Sequence, residues 1–220
     1  MSTEPPEPSL YVPRPYAMPD LDEVRDFIRR VGICTLITLG RELEASLVPV
    51  VLEDGETEYG ILRGHLAAPN AQLRRRRADV RALAVFQGPS HYITPAWYET
   101  KRRTGKVVPT YDYVIVQARG LLRVIEDRAR VHDHLATLTA HHEATVGSDW
   151  RITDAPGDYI ESMMKGIVAF ELPIDELVGK SKLSQNRPAE DIDGVAGGLG
   201  ALETDAAHDV AELVERFRPH

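Results

Sequence analysis

The sequence has a single cysteine and no long apolar run, and each absence excludes a class of protein. Cys34 has no second cysteine with which to form an internal disulfide, and one thiol excludes zinc motifs that need two. No segment approaches the ~18 consecutive apolar residues of a transmembrane helix, and the acidic, proline-rich start is not typical of a signal peptide. We therefore expect a cytoplasmic protein without membrane association.

Basic residues are also in the minority: 26 Lys and Arg stand against 34 Asp and Glu, a net charge of −8. This excess of acid argues against a general polyanion binder, because nucleic-acid affinity depends on phosphate neutralisation. One region of the chain is basic instead. Residues 72–106 carry nine Lys and Arg but only Asp79 and Glu99, which suits either a solvated surface or a local anion site. Direct DNA binding is therefore doubtful.

The common catalytic motifs are missing as well. The chain has no P-loop, no GxGxxG between a strand and a helix, no GxSxG and no HExxH. The four histidines of the segment 128–146 lack the i, i+4 spacing of zinc ligands on one helix, so we expect them to be exposed and to bind no metal; they are His132, His134, His141 and His142.

What is present is a series of short apolar runs separated by turn residues, with helical periodicity at the edges. This pattern predicts a mainly β (α+β) fold, an antiparallel barrel with peripheral helices and a helical C-terminal tail. The predicted strands are 33–39, 45–52, 58–63, 80–87 (ended by Gly88-Pro89), 91–94, 112–125 (bent at Gly120) and 166–172.

Five helical stretches accompany these strands: 20–31, 70–77, 128–146, 158–165 and 190–217, the last with a glycine-rich hinge at 194–200. The domain organisation that follows is a disordered tail at 1–9, a barrel domain at 10–187 and a helical extension at 188–220. A chain of 220 residues is long enough to bury a core without disulfides or metal.

Three polar, turn-rich stretches stand at the ends of predicted strands: GHLAAPN (64–70), FQGPSHYITPAWY (86–98) and GKSKLSQNR (179–187). VPTYDY (108–113) adds a proline and two tyrosines. The first stretch predicts free N–H groups at a helix N-terminus, followed by the basic run Arg74 to Arg77. Aromatic faces, amides and cations of this kind suit a flat, phosphorylated ligand. The alternative is that these loops only tie the barrel rim together.

The same motifs resemble the PaiB family, FMN-binding negative transcriptional regulators with a flavin-reductase-like split barrel. The resemblance begins at LYVPRPY (10–16), continues through GHLAAPNAQ, VFQGPSHYITPAWY and VVPTYDY, and ends with KLSQNR and the acidic helix that follows. It covers nearly the whole chain, in order and with matching spacing.

The resemblance implies a homodimer with FMN at the subunit interface, each site built from both chains. It implies a phosphate near His65, Leu66, Ala67 and Asn70, with Lys182 and Arg187 as charge partners. The flavin ring would contact the strand bearing Tyr92 and Thr94 and the loop bearing Thr110, and Ser184 and Gln185 complete the implied set. The chain departs from the family at Asp112, where an acid replaces the usual Asn and would weaken FMN binding if it pointed inward.

Relatives within the family bind haem and form an N–N bond in piperazic acid, using a histidine at the position of His65. Three functions therefore remain open: a PaiB-type FMN-binding regulator, a flavin-dependent NAD(P)H oxidoreductase, and a haem enzyme of the piperazate synthase type. The SQNR run resembles the flavin-type members. No helix-turn-helix signal and no pair of residues typical of a nucleophile and its base is visible.

Overall fold

The computed structural model describes residues 10–218, so the predicted tail at 1–9 lies outside the described residues. Within that range the chain forms eight β-strands, one more than the sequence predicts: β1 (Ile33–Leu39), β2 (Leu43–Glu53), β3 (Ile61–Ala67), β4 (Ala82–Ile93), β5 (Thr110–Gly120), β6 (Arg123–Ile125), β7 (Ile167–Pro173) and β8 (Glu176–Lys182). They are hydrogen-bonded in the order β6-β7-β3-β2-β1-β4-β5-β8.

Seven α-helices accompany the sheet in the same range: α1 (Leu21–Val31), α2 (Gln72–Arg75), α3 (Glu99–Thr104), α4 (Arg128–Thr145), α5 (Gly157–Met164), α6 (Ala189–Gly200) and α7 (Asp205–Arg216). Short 3₁₀ turns occur at Arg14–Tyr16, Pro95–Trp97 and Ile152–Asp154. Between residues 10 and 218, none of these helices has the length and apolar character needed to cross a membrane.

The chain divides into two compact units, and β4, β5 and β8 have residues in both. The described part of unit 1 comprises residues 10–20, 87–115 and 178–218. Unit 2 comprises residues 21–86 and 116–177.

Unit 2 is built on antiparallel pairs: β1 with β2 and β4, β2 with β3, and β7 with β3 and β6. Helix α1 begins after Asp20 and ends at Gly32, whose φ of 62° is the left-handed conformation that terminates helices. Its apolar face buries Val24, Phe27 and Ile28, which recur at helical spacing in the predicted stretch 20–31. Burial of large apolar side chains of this kind contributes roughly 1.5–3 kcal/mol each.

The β1–β2–β4 sheet of unit 2 is apolar on both faces. One face is buried and includes Leu36, Val48 and Phe86, each 0% exposed. The opposite face, which we call the outer face, is also apolar because the register places Leu47 and Val85 beside Thr35, and Ala45 and Leu83 beside Ile37. Leu47 is 68% exposed and Leu43 is 74% exposed. An antiparallel sheet that faces water is normally polar on that side, so the outer face is unusual.

Several predicted boundaries are wrong. β4 does not end at Gly88-Pro89 but continues to Ile93, absorbing the separate strand predicted at 91–94. Extended backbone fits the φ of proline, which removes only one hydrogen-bond donor from a strand. β3 starts and ends later than predicted, which puts Gly64 and His65 in mid-strand. The predicted strand 112–125 is two strands separated after Gly120.

The sequence analysis missed β8, whose residues from Val178 onward belong to unit 1 and include the first residues of the stretch 179–187. Although these residues are polar, Lys180 is only 9% exposed and Ser181 only 1% exposed. The Lys180 ammonium donates to the carbonyl of Tyr11 at 3.2 Å and lies 5.5 Å from the Tyr113 ring centroid. The N-terminal arm thus supplies partners that allow a lysine to be buried.

The glycine-rich hinge predicted at 194–200 is also wrong, because these residues form most of α6. Gly198 faces the Trp97 ring so closely that a Cβ there would lie 2.4 Å from it, and a Cβ on Gly194 would lie 1.9 Å from the Trp97 carbonyl oxygen. These glycines are therefore helix residues that allow close packing, and not flexible joints.

Candidate functional site

The implied cofactor residues of the stretch 65–70 all lie in unit 2. Leu66 is part of the core at 6% exposure, whereas Ala67 is exposed at the end of β3. His65 is half-buried. The structure therefore leaves His65 and Ala67, but not Leu66, with surface open to a ligand.

Asn70 uses its side chain within the protein. Its amide donates to Ser46 Oγ at 3.1 Å, and its Oδ1 accepts from the Gln72 N–H at 3.0 Å. Helix α2 has only four residues, and its first N–H is already bound. The prediction of a helix N-terminus with free N–H groups is thus wrong at Gln72.

Gln72 is a residue that the sequence analysis did not single out. It is 1% exposed, and its Nε2 donates to the carbonyls of Leu36 at 3.0 Å and Glu44 at 3.1 Å. A buried amide with two backbone acceptors stabilises the β1–β2 hairpin. The only sequence signal for this role was its place at the end of the motif GHLAAPNAQ.

The basic run Arg74 to Arg77 is mostly engaged by the protein. Arg74 donates to the Ala68 carbonyl at 2.5 Å, Arg76 to the Leu122 carbonyl at 3.3 Å, and Arg77 pairs with Asp79 at 2.8 Å. Arg75 is exposed. Three of the four guanidinium groups therefore have partners that compete with an external anion.

His65 forms a hydrogen bond that the sequence did not predict. Its Nδ1 lies 3.1 Å from Nε2 of His134 on α4, and the two rings meet edge to face with centroids 5.4 Å apart. His134 is 2% exposed, and none of the four helix histidines is fully exposed, so the expectation of exposed histidines is wrong.

Burial favours the neutral form of both rings in this pair. Burial lowers the pKa of His65. Burial, with smaller contributions from His65 and the Arg63 charge, lowers the pKa of His134 to about 4. Each effect disfavours the cationic imidazolium.

The other implied residues lie in unit 1, where Lys182, Ser184 and Asp112 form a compact cluster, the Asp112 cluster. Ser184 Oγ donates to Asp112 Oδ2 at 2.7 Å, and the Lys182 ammonium lies 3.5 Å from Oδ1. Asp112 is 0% exposed. Burial raises its pKa, and the Ser184 hydrogen bond and the Lys182 charge oppose that rise.

The geometry of this cluster also shows local backbone strain. Ser184 has a φ of 63°, the left-handed region that favours glycine. Lys182 also donates to Thr110 Oγ1 at 2.7 Å and to the Tyr111 carbonyl. Asp112 thus fixes the end of β8 against the start of β5.

Gln185 and Arg187 differ in whether their polar groups are already bound within the protein. Gln185 accepts from its own loop at the Leu183 N–H (2.7 Å) and donates to the Ser181 carbonyl (2.6 Å), so both ends of its amide are used. Arg187 lies with its guanidinium carbon 4.6 Å from the Tyr98 ring centroid. Within residues 10–218 no carboxylate pairs with Arg187.

Aromatic surface completes unit 1. Tyr92 and Tyr111 meet edge to face with ring centroids 5.9 Å apart, and they are 44% and 57% exposed. Thr94 caps the following 3₁₀ turn by accepting from the Ala96 N–H at 3.2 Å. A planar cation over a ring and a pair of exposed tyrosines are chemically suited to a flat anionic ligand.

No metal site accompanies these groups: among residues 10–218, no three His, Cys, Asp or Glu side chains are grouped to hold an ion. Cys34 is buried, and burial raises the pKa of its thiol to about 12, which makes it unreactive.

Comparison with known sequences identifies the family of the chain. The family described as "Putative FMN-binding domain" matches residues 10–176. An uncharacterized protein of Emericella nidulans is 35% identical over 78% of this chain and 81% of its own length. "Protease synthase and sporulation protein PAI 2" of Bacillus subtilis is 28% identical over 94% of this chain and 97% of its own length.

Solved structures share the fold at low sequence identity. The FAD and heme binding protein from Mycobacterium smegmatis has a TM-score of 0.58 at 15% identity and covers 83% of this chain and 80% of that one. The flavocytochrome Anf3 from Azotobacter vinelandii has a TM-score of 0.55 at 12% identity, covering 78% and 72%. The predicted split-barrel fold class is confirmed. The chain belongs to the FMN-binding-domain family of PaiB-type proteins, as its motifs indicate.

Proposed function

We propose that this protein binds FMN as a cytoplasmic, homodimeric PaiB-type flavoprotein. Arg187 carries the proposal: it presents a planar guanidinium, stacked on Tyr98, with no carboxylate partner in the part of the chain that the structure describes. Such a group binds phosphate through two parallel hydrogen bonds. When bound, FMN supplies redox chemistry of its own.

The residues of unit 1 divide this task. Lys182 is a second cation, whose ammonium donates to Thr110 and lies beside the Asp112 carboxylate. The Tyr92–Tyr111 pair offers an aromatic face to the flavin ring. Ser184 and Gln185 support the loop, because their polar groups are already bound. Asp112 is satisfied by Ser184 and Lys182, which removes the objection that an acid would face the cofactor.

A comparison of FMN with riboflavin tests the phosphate assignment. Replacing Arg187 with Ala should weaken FMN binding about 10–100-fold and riboflavin binding much less, because a charge-assisted hydrogen bond to phosphate is lost. Lys182→Ala should act in the same direction. Lys106→Ala, which removes an exposed lysine of the same unit, is the control. Equal loss of both ligands in a fluorescence titration would contradict the phosphate role.

Haem is the alternative cofactor, and the half-buried His65 is the residue that would bind it. An absorption spectrum of the purified protein separates the two. Flavin absorbs at about 450 nm and about 370 nm, whereas haem has an intense Soret band at about 400 nm. We expect the flavin bands. Their bleaching by NAD(P)H without air would favour the oxidoreductase alternative over a purely regulatory role.

The homodimer is supported by the outer face of the β1–β2–β4 sheet. It presents Leu43, Leu47 and Ile33, with exposures of 74%, 68% and 37%. A second copy of the chain is the proposed cover, because two-fold pairing is the commonest closed assembly. Leu47→Glu should convert a dimer of twice 24.5 kDa into a monomer in light scattering. Leu121→Glu, at a residue that is 46% exposed and lies outside β1, β2 and β4, should remain dimeric; a monomeric wild type would contradict the proposal.

Any regulatory effect, we propose, does not depend on direct DNA binding. Arg77 pairs with the Asp79 carboxylate, which offsets its charge, and Arg74 and Arg76 donate to backbone carbonyls, which leaves fewer N–H donors for phosphate oxygens. Footprinting at ~0.15 M salt should show no specific protection. A footprint at that salt, lost when Arg74 to Arg77 are neutralised, would establish direct operator binding instead.

A further inference from the structure

The His65–His134 pair joins a half-buried histidine on β3 to a buried histidine on α4. The contact is made by His65 Nδ1 and His134 Nε2, which are 3.1 Å apart. His134 Nδ1 is buried and has no hydrogen-bond partner among the described residues. His65 Nε2 is not among the buried polar atoms without a partner, and His65 is only half-buried. We call His65 Nε2 and His134 Nδ1, the two ring nitrogens that take no part in the contact, the outer nitrogens. Only the outer nitrogen of His65 can meet a ligand.

The number of protons on the pair is limited by its surroundings. His134 is buried and its Nδ1 has no hydrogen-bond partner among the described residues, so a proton on that atom would be unpaired. A neutral imidazole carries one N–H and one bare nitrogen. Because the two contacting nitrogens share a hydrogen bond, one of them is protonated and the other is not. Each choice fixes the state of the two outer nitrogens.

Two arrangements satisfy this rule. If His65 donates, both rings are protonated on Nδ1, and His134 is left with a buried N–H that has no acceptor. If His134 donates, both rings are protonated on Nε2, the tautomer that neutral histidine intrinsically favours, and no buried N–H is unpaired. Buried N–H groups without acceptors are rare in native proteins. The second arrangement is therefore preferred on both counts.

We propose that His134 is a positioning residue that holds His65 in its Nε2–H tautomer, so that His65 donates a hydrogen bond to an oxygen atom of the bound cofactor. The geometry of the pair carries this inference, and its cofactor part rests on the proposed FMN binding. The ligand class is an oxygen acceptor, either a phosphate oxygen or a ring carbonyl, which share the same hydrogen-bond chemistry.

The hydrogen bond from His134 also disfavours metal coordination by His65. A metal ion needs the Nε2 lone pair, so the His65 proton would have to move to Nδ1. His134 would then have to accept at Nε2 and carry its own proton on the partnerless Nδ1. Both rings must change tautomer, which makes His65 a poor haem ligand and a good oxygen-binding residue in this chain.

Imidazole ¹⁵N spectra of the ligand-free protein test the tautomer directly. We expect His65 to show a protonated Nε2 and a bare Nδ1 in wild type and in His134→Gln, whose side-chain amide can donate to His65 in the same way. His134→Leu should give a mixture of tautomers. His132→Gln, on the same helix, is the control and should resemble wild type. A protonated Nδ1 on wild-type His65 would overturn the proposal.

Titration with FMN and with riboflavin tests the cofactor contact. FMN affinity should fall about tenfold in His134→Leu and be restored in His134→Gln. An equal fall for both ligands would identify a ring carbonyl as the acceptor, and a fall for FMN alone would identify the phosphate. Unchanged affinity in His134→Leu would overturn the contact. If wild type binds no FMN while its spectrum shows the Nε2–H tautomer, the FMN proposal fails and the tautomer assignment stands.

Discussion

The Asp112 cluster and the His65–His134 pair are both buried polar clusters, yet they respond to pH in opposite directions. Asp112 is an acid whose pKa is raised by burial, and its partners Lys182 and Ser184 only partly offset that effect. His134 is a base whose pKa is lowered by burial to about 4. In each case burial shifts the pKa in the direction that favours the neutral form. The comparison shows that burial shifts both pKa values more than the neighbouring charges and hydrogen bonds do.

Removal of the Asp112 carboxylate breaks the first cluster and should have the largest effect. Asp112→Ala removes the acceptor of the Ser184 hydroxyl and the carboxylate that faces the Lys182 ammonium, which should cost about 3–5 kcal/mol of unfolding free energy. Denaturant unfolding measures this loss. Asp112→Asn, which keeps an oxygen for Ser184, is the matched control and should cost less. Equal losses would mean that the Ser184 hydrogen bond contributes nothing.

Acid should break the second cluster. Since the unfolded chain binds a proton on His134 below its ordinary pKa of 6.5 and the folded protein does so only at about 4, stability falls as the pH falls through this range. The loss is about 3 kcal/mol. Unfolding of wild type and His134→Gln should therefore diverge between pH 7 and pH 4. Parallel curves for the two proteins would show that His134 is not buried as a neutral ring.

The pH response of Asp112 sharpens the comparison, because its sign is the reverse. The folded protein holds the Asp112 proton above the ordinary pKa of 3.8, so the unfolded chain releases it first and stability falls as the pH rises past 3.8. Relative to Asp112→Asn, which does not titrate, wild type should lose stability with rising pH. A gain would mean that Lys182 and Ser184 outweigh burial.

Backbone strain in the Asp112 cluster should have the smallest effect. Ser184→Ala and Ser184→Gly both lose the hydrogen bond to Asp112, but glycine adopts the φ of 63° without strain. The glycine variant should therefore be more stable than the alanine variant by about 1 kcal/mol. Thermal unfolding of the two proteins measures the difference, and equal melting temperatures would indicate that the loop relaxes in both.

Local patterns in the sequence were sufficient for much of the fold. The helical spacing of Val24, Phe27 and Ile28 defined α1 together with its end at Gly32, and the strand β1 was predicted with its observed bounds. Amphipathic periodicity and turn residues act over a few positions, so they can be read along the chain. The continuation of β4 through Gly88-Pro89 was not predicted, because pairing with neighbouring strands can override the local preference of Gly and Pro for turns.

The candidate site was predicted as a set of motifs, but not as a set of roles. Ser184, Gln185 and Asn70 lie in the motifs that mark the family, yet their polar groups bind the protein itself. Arg187 lies in the same motif and has no ion-pair partner in the described chain. Residue type and spacing cannot show whether a side chain binds the protein itself or stays available to a ligand, since both roles use the same hydrogen-bonding side chains.

By itself, the sequence determined the family, the class of fold and the kinds of side chain available for a flat anionic ligand, because these follow from composition and local order. Only the tertiary structure decided which groups remain available. His65 and His134 are 69 positions apart, and Gly198 meets Trp97 across a gap too narrow for a Cβ. Contacts of this kind depend on how distant segments pack, and packing then sets the burial that controls protonation.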